Sequence, residues 1–222
     1  MQTTETARPL DPSLIGRFAA IVGDAHALRA EADIAPYVRE QRGLWAGRTA
    51  LVLRPGSTAE VSAILRLAAA TGTAIVPQGG NTGLVGGQVP QGEILLSTDR
   101  MRAIRDIDVD DDAIVVEAGV PLAVVQQAAA DAGRRFPLSL ASEGTATIGG
   151  LISTNAGGTQ VLRYGTMRSL VLGLEAVLPN GEIWNGLKRL RKDNTGYDLK
   201  QLLIGGEGTL GVITAASLKL FP

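Results

Sequence analysis

Glycine is distributed very unevenly along this chain. Half of its 28 glycines lie in three short segments, PQGGNTGLVGG at 77–87, GTATIGGLISTNAGG at 144–158 and GGEGTLG at 205–211. Because glycine has no Cβ, it permits positive φ and lets backbone or ligand atoms approach closely. Three separate loops of this kind indicate one large ligand that the chain contacts at several places.

The first glycine-rich segment, Pro77–Gly87, follows the short apolar run Thr73–Val76, which predicts a strand. Backbone N–H groups after such a strand can turn toward one point and form a nest for an anion, most often a phosphate. An ordinary turn between strands is the alternative, since glycine is also a common turn residue. In the second segment, Thr147 precedes the apolar run Ile148–Ile152. We expect it to cap a short helix whose N-terminus faces the same anion.

Two well-known nucleotide-binding motifs do not match the first segment. A Rossmann fingerprint has the spacing G-x-G-x-x-G and opens a helix. Here Gly80, Gly83 and Gly86 have a different spacing, and no helical pattern follows them. A Walker loop requires Gly-Lys-Ser/Thr, and neither Gly83 nor Gly87 precedes a lysine. The segment therefore matches neither motif.

The remaining pattern predicts an α+β fold with two lobes. A strand at 51–53, a helix that starts at the capping-box pair Ser57 and Glu60, and the strand at 73–76 form a β-α-β unit. After residue 100, alternating runs around Asp110–Asp112 predict a hairpin, followed by a helix at 121–132 and strands at 170–178, 182–184 and 211–220. We expect a small lobe at 1–100 and a larger lobe, with a mixed or antiparallel sheet, at 101–222.

Composition narrows the possible functions. A net charge of −1 argues against nucleic-acid binding, and the lack of cysteine excludes disulfides and thiolate chemistry. His26 is the single histidine, so a His metal cluster or a Ser-His-Asp triad is not expected. No apolar run reaches the roughly 20 residues of a membrane span, and the N-terminus lacks a signal-peptide core. We therefore expect a cytoplasmic protein, and we assign no catalytic and no metal-binding residue.

A short basic run is formed by Lys188, Arg189, Arg191 and Lys192. Such a run is typical of a solvated turn between strands. The functional alternative is a positively charged rim that attracts an acidic substrate or an electron-transfer partner.

The three glycine-rich segments, in this order, resemble the flavin domain of the FAD-linked oxidase family, of the vanillyl-alcohol-oxidase (PCMH) type. The matching text is PQGGNTGLVGG, SEGTATIGGLISTNAGG and DNTGYDLKQLLIGGEGTLGVIT, preceded by the helix text STAEVSAILRLAAATG. The similarity runs from about residue 35 to the end and is strongest to dehydrogenases of D-2-hydroxyglutarate and D-lactate. It implies a two-lobed FAD-binding domain of a flavin-dependent dehydrogenase.

The resemblance also implies roles for individual residues. The first segment would cradle the FAD pyrophosphate, the second would line the flavin and its ribityl arm, and the third would reach the adenosine and ring regions. The residues so assigned are Pro77, Gln78, Gly79, Gly80, Asn81, Thr82 and Gly83; Ala141, Ser142, Gly144, Thr145, Thr147, Gly150, Thr154, Asn155 and Gly157; and Glu207, Gly208, Gly211, Val212 and Ile213.

One variant of the family tethers FAD through a histidine that follows Gly-Gly in the first loop. Asn81 occupies that position here, so the resemblance implies a non-covalent cofactor. It further implies that a D-2-hydroxy acid is oxidised with the help of a substrate domain, absent from these 222 residues, that supplies the base and a metal. Three alternatives remain open: a separate flavin subunit, an oxidase of another alcohol or sugar acid, and a non-catalytic nucleotide-binding module.

Overall fold

The structure, a computed structural model, describes residues 10–222, and its first sheet has four strands. The strands lie in the order β1-β2-β4-β3, with β4 parallel to both β2 and β3 and β1 antiparallel to β2. The predicted β-α-β unit is present, but β4 is inserted between its two strands. The bounds are β1 Ala27–Leu28, β2 Val52–Leu53, β3 Ile75–Gln78 and β4 Ile94–Ser97.

Helices pack against this sheet, and the longest of them begins at the pair Ser57 and Glu60 that the sequence indicates. Ser57 Oγ accepts from Glu60 N at 3.2 Å, and Glu60 Oε2 accepts from Gly56 N at 2.8 Å, so the start of the long helix is fixed. Gly72, with φ of +63°, ends it in the left-handed region. The helices are α1 Pro12–Val22, α2 Glu31–Ile34 and α3 Thr58–Thr71, with a 3₁₀ turn at Asp24–His26.

The second sheet has five antiparallel strands in the order β5-β6-β9-β7-β8. Its buried face packs against the short helices that follow β6. The strands are β5 Ile104–Asp108, β6 Ala113–Glu117, β7 Val171–Val177, β8 Ile183–Gly186 and β9 Val212–Lys219. The helices are α4 Leu122–Asp131, α5 Ile148–Ser153, α6 Val161–Tyr164, α7 Met167–Leu170 and α8 Lys200–Leu203.

The two sheets are joined by apolar and polar contacts. Val177 and Val212, at the ends of β7 and β9, lie in the hydrophobic core beneath the first sheet. Glu175 on β7 is buried and accepts hydrogen bonds from Thr58 on α3 at 2.7 Å and from Thr214 on β9 at 2.9 Å. Arg105 on β5 completes this cluster at 3.1 Å. These contacts fix the orientation of the first sheet relative to the second.

The basic run lies against the acidic β5–β6 hairpin. Arg189 pairs with Asp108 at 2.9 Å and also with Asp106, while Lys188 pairs with Asp193 at 2.6 Å. Asp108 Oδ1 also accepts from two backbone N–H groups of the turn, which fastens the predicted hairpin. Much of the positive charge of the run is therefore neutralised by carboxylates of the protein itself.

Residues 10–222 contain neither a metal-binding cluster of side chains nor a helix suited to cross a membrane. No group of three or more His, Cys, Asp or Glu side chains there is arranged to hold a metal ion. No helix within the same range combines the length and the apolar character that crossing a membrane requires.

Candidate functional site

A cleft of about 420 Å³ lies where the end of β3 meets α5 and the start of β9, and all three glycine-rich segments line it. The β-strand ends and the short helix α5 thus bring together residues that are far apart in the sequence. Predicted site residues that line the cleft are Pro77, Gln78, Gly79, Gly80, Asn81, Thr82, Gly83, Ser142, Thr147, Gly150, Thr154, Glu207, Gly208, Gly211, Val212 and Ile213.

The first segment presents a row of free backbone donors. No acceptor in the part of the chain that the structure describes receives the backbone N–H groups of residues 79–83. Asn81 has φ of +53°, the left-handed conformation that turns consecutive N–H groups toward one point. All five residues line the cleft, so the row lies at its wall and is the candidate anion nest. A hydrogen-bonded β-turn would use one of these N–H groups to close itself, and none of the five is used in that way.

Three side-chain amides hold this loop in place. Asn81 Nδ2 donates to the carbonyls of Arg39 at 2.7 Å and Pro36 at 3.3 Å. Gln88 Nε2 donates to Gly83 O at 2.8 Å and to Asn81 Oδ1 at 3.3 Å. Buried Gln78 donates to Tyr37 O at 2.8 Å and to Gln88 O at 3.0 Å. The loop is therefore organised by the protein itself, and the Asn81 carboxamide is used for this bracing.

The segment 36–39, whose carbonyls accept hydrogen bonds from Asn81 and Gln78, is itself anchored by Tyr37. Its hydroxyl donates to Asp99 Oδ2 at 2.9 Å, and Arg54 Nε lies 2.9 Å from the same carboxylate oxygen. Burial, together with the hydrogen bond to Asp99, raises the pKa of Tyr37 to about 12. Tyr37 therefore stays protonated near neutral pH and acts as a structural donor.

Glycine is required where the three segments touch one another. A Cβ on Gly80 would overlap the carbonyl of Thr145, and one on Gly79 would overlap Thr147 Oγ1. A Cβ on Gly208 would overlap the ring of Pro77. The first segment thus contacts both others through positions that have no side chain. Any larger residue would push the walls of the cleft apart.

Two buried hydroxyls at the cleft have no hydrogen-bond partner among the described residues: Thr98 Oγ1 and Thr147 Oγ1. Both threonines are 5% exposed and line the cleft. Thr147 does occupy the N-cap position of α5, but its side chain makes no capping bond, so the prediction of a side-chain cap is wrong. The hydroxyl lies close to the first segment, since a Cβ built on Gly79 would be 2.3 Å from it.

The third segment is attached to α5 by backbone hydrogen bonds. Gly205 N donates to Ile152 O at 3.1 Å, and Glu207 N donates to Ser153 O at 2.9 Å. Glu207 has φ of +51° and is the one charged residue among the described residues that line the cleft. The lining has no cation, so an anion there would be stabilised by main-chain dipoles.

Several predicted residues lie outside the lining of the cleft. Thr145 lies behind the first segment with its carbonyl against Gly80, and Asn155 accepts a hydrogen bond from Arg168 N. The full set is Ala141, Gly144, Thr145, Asn155 and Gly157.

Sequence reasoning also missed residues that line the cleft. Some lie inside the glycine-rich segments, while Gln88, Thr98 and Leu140 lie outside them. Thr98 reaches the cleft because Ser97 on β4 pairs with Gln78 on β3, a register that the sequence does not reveal. The missed residues are Leu84, Val85, Gly87, Gln88, Thr98, Leu140, Gly149, Leu151, Ser153 and Ala156.

Comparison with known proteins gives consistent results. A family model described as FAD binding domain matches residues 49–186. The D-2-hydroxyglutarate–pyruvate transhydrogenase of Saccharomyces cerevisiae is 44% identical over 212 residues, which cover 94% of this chain and 43% of that protein. The mitochondrial D-2-hydroxyglutarate dehydrogenase of Bos taurus is 50% identical over 173 residues, which cover 78% of this chain and 32% of that protein. The chain spans less than half the length of these relatives.

Solved structures share the fold at low sequence identity. Alkyldihydroxyacetonephosphate synthase matches with a TM-score of 0.84 and 21% identity, over 99% of this chain and 42% of that one. p-Cresol methylhydroxylase matches with a TM-score of 0.79 and 20% identity, over 95% of this chain and 43% of that one. At these identities the likeness concerns the arrangement of helices and strands.

Proposed function

This chain belongs to the FAD binding domain family, and on that premise we propose that its cleft binds FAD without a covalent bond. The observation that carries the proposal is the single cleft lined by all three glycine-rich segments, with a row of free N–H groups at its wall. Asn81 stands where some members of the family have a tethering histidine, and a carboxamide is not a nucleophile. The two unpartnered hydroxyls, Thr98 and Thr147, add polar capacity that a long polar ligand can satisfy.

We assign one part of the cofactor to each segment. The N–H row of residues 79–83 would hold the pyrophosphate, because main-chain dipoles stabilise two phosphate charges without a cation. Ser142, Thr147, Gly150 and Thr154 would line the flavin and its ribityl arm. Residues 207–213 would contact the adenosine and ring regions, and their glycines allow the backbone to approach.

For the whole protein we propose oxidation of a D-2-hydroxy acid, of the D-lactate or D-2-hydroxyglutarate type. This rests on the relatives named above, whose names specify D-2-hydroxyglutarate. Bound FAD supplies the acceptor for a hydride equivalent from the substrate carbon. Residues of this chain bind the cofactor, orient it and keep water out of its cleft. The base that deprotonates the substrate would belong to a part of the whole protein outside these 222 residues.

Three further statements are predictions of the same kind. The lobes would divide near residue 100, an electron-transfer partner would reoxidise the flavin, and the protein would be cytoplasmic. Several eukaryotic relatives carry "mitochondrial" in their names, whereas the D-2-hydroxyglutarate dehydrogenase of Xanthomonas citri does not. That last relative is 42% identical over 190 residues.

Binding of FAD is tested by titration of the purified chain. FAD is added to protein freed of flavin, unbound FAD is removed by gel filtration, and the visible spectrum is recorded. We expect a yellow protein with about one FAD per chain. Denaturation followed by ultrafiltration is then expected to release all the colour into the filtrate. Protein that stays colourless after the titration would contradict the assignment of the cleft, and colour retained on the denatured chain would contradict non-covalent binding.

A further inference from the structure

Arg168, on α7, has a guanidinium that is bonded to neutral oxygens. Nη1 donates to the carbonyl of Gln201 at 3.0 Å and also contacts the Gln201 side-chain oxygen. Nη2 donates to the carbonyl of Ile204. These carbonyls belong to the C-terminal end of α8 and to the residue that follows it, directly before the third glycine-rich segment. A cation is favourable there because helix C-termini leave carbonyls unpaired.

The backbone of Arg168 is attached to the second glycine-rich segment. Its N–H donates to Asn155 Oδ1 at 3.0 Å. Asn155 has φ of +48° and follows α5, whose Ile152 carbonyl accepts from Asn155 N at 3.0 Å and from Gly205 N at 3.1 Å. One residue therefore contacts the end of the second segment through its main chain and the start of the third through its side chain.

These two segments form adjoining walls of the cleft. Ser153 and Thr154 line it on one side, and Glu207 and Gly208 line it on the other. Gly205 leaves the space for this arrangement, since a Cβ there would lie 3.3 Å from Arg168 Nη2. Arg168 does not line the cleft itself. Its effect on a ligand would be transmitted through the two segments that do.

We propose that Arg168 is a positioning residue that sets the separation of the second and third glycine-rich segments and thereby the affinity of the cleft for FAD. The proposal rests on the proposed function above. Arginine suits this role because its planar guanidinium donates in a fork and reaches two carbonyls three residues apart. Lysine has the same charge, but its compact ammonium lacks the rigid planar fork, so it cannot hold both carbonyls in the same fixed geometry.

The test compares three variants of the full chain. Arg168→Met removes the charge and the fork, and Arg168→Lys keeps the charge alone. Arg163→Met is the matched control, because Arg163 is an exposed arginine on neighbouring α6 whose guanidinium lies 5.2 Å from the Tyr164 ring centroid. For each protein, FAD affinity is measured by fluorescence titration, the bound flavin by its absorption maxima, and folding of the FAD-free protein by thermal denaturation.

We expect FAD to bind roughly tenfold or more weakly to Arg168→Met, as the loss of charge-assisted hydrogen bonds implies. Arg168→Lys is expected to show an intermediate affinity with shifted flavin maxima, and Arg163→Met an affinity within about twofold of the unaltered protein.

Unchanged affinity in a folded Arg168→Met protein would overturn the proposal while leaving FAD binding intact. If that variant does not fold, Arg168→Lys decides, and affinity and absorption maxima equal to those of the unaltered protein would overturn it. Failure of the unaltered protein to take up FAD would overturn the proposed function, and the role of Arg168 with it.

Discussion

At the scale of single residues, the cleft is shaped by positions that lack a side chain and by amides that hold a loop. Gly79, Gly80 and Gly208 allow the three segments to touch, while Asn81 and Gln88 brace the row of donors. Both features act before a ligand arrives. A ligand that enters such a site does not have to order the loop, so less binding free energy is lost.

Gly80→Ala is expected to damage both stability and FAD binding. The added methyl overlaps the Thr145 carbonyl, and backbone atoms cannot move aside cheaply. We expect the free energy of unfolding to fall by about 1–3 kcal/mol and FAD affinity to fall as the N–H row shifts. Urea denaturation and FAD titration measure the two effects. Gly16→Ala on α1 is the control, because a Cβ there has no atom within 4 Å and should lower neither quantity.

Asn81→Asp is expected to loosen the same loop without changing its size. The substitution replaces the Nδ2 donor by an oxygen facing the carbonyls of Pro36 and Arg39. We expect a loss of about 1–3 kcal/mol in the free energy of unfolding, and weaker FAD binding because a negative charge joins the anion nest. Asn180→Asp is the matched control, since Asn180 uses its Oδ1 to accept from Glu182 N and aspartate preserves that bond. Equal effects of the two changes would show that the Asn81 donors do not matter.

At the scale of elements, local signals located α3, α4 and the short helix α5, and failed for β1 and the helices of four residues. Ser57, Glu60 and Gly72 fix α3 through bonds within a few residues, so its ends follow from the sequence. The strand β1 and the helices α6 to α8 have two to four residues each and depend on distant partners. The position of Thr98 at the cleft follows from the register of β3 and β4, and local patterns do not specify a register between distant strands.

The α+β fold and the FAD-family resemblance predicted from the sequence are confirmed by the family match and the structural likeness. The glycine-rich segments carried that prediction. Where backbone atoms approach one another closely, the positions are occupied by glycine, and this enrichment is visible in the sequence. The bracing left no such trace, since Gln88 lies outside the glycine-rich segments and the carbonyls that accept from Asn81 belong to residues about 40 positions earlier, Pro36 and Arg39. The assignment of individual residues to FAD stays a prediction.

Ser57→Ala tests whether α3 depends on its cap. The alanine leaves Glu60 N without its acceptor, and we expect the free energy of unfolding to fall by about 1 kcal/mol. Chemical denaturation with circular dichroism measures the loss. Ser13→Ala serves as comparison, because Ser13 contributes its backbone N–H, not its side chain, to the cap of α1 at Asp11. A loss of equal size there would argue against the capping explanation.

At the scale of the whole molecule, the Glu175 cluster connects the two sheets that form the cleft. Burial raises the pKa of Glu175, but hydrogen bonds from Arg105, Thr58 and Thr214 outweigh it, and the pKa lies below its ordinary value. A carboxyl whose pKa is lowered by folding stabilises the protein at pH values above the unfolded pKa. That stability is lost as the pH falls through the folded pKa. The connection between the sheets is therefore sensitive to acid.

Glu175→Gln is expected to lower the free energy of unfolding by about 2 kcal/mol at pH 7, because Arg105 loses a buried charged partner. The stability of the unaltered protein is expected to decline below about pH 4.5, and the variant should show a flatter dependence in that range. Denaturation curves between pH 3 and pH 7 measure both. Glu31→Gln, at an exposed position on α2, should leave the curve unchanged. Parallel curves for Glu175→Gln and the unaltered protein would contradict the role of this carboxylate.

The row of N–H groups at residues 79–83 has a consequence for how this site is mapped by mutation. Main-chain donors are present whatever the side chain, so a scan that truncates residues to alanine leaves all five in place. Such a scan would report the bracing amides and pass over the N–H groups that we propose to face the ligand. The informative scan at this wall replaces one glycine at a time by alanine and so adds a single methyl group. The site depends on positions that have no side chain, and such a scan tests each of them.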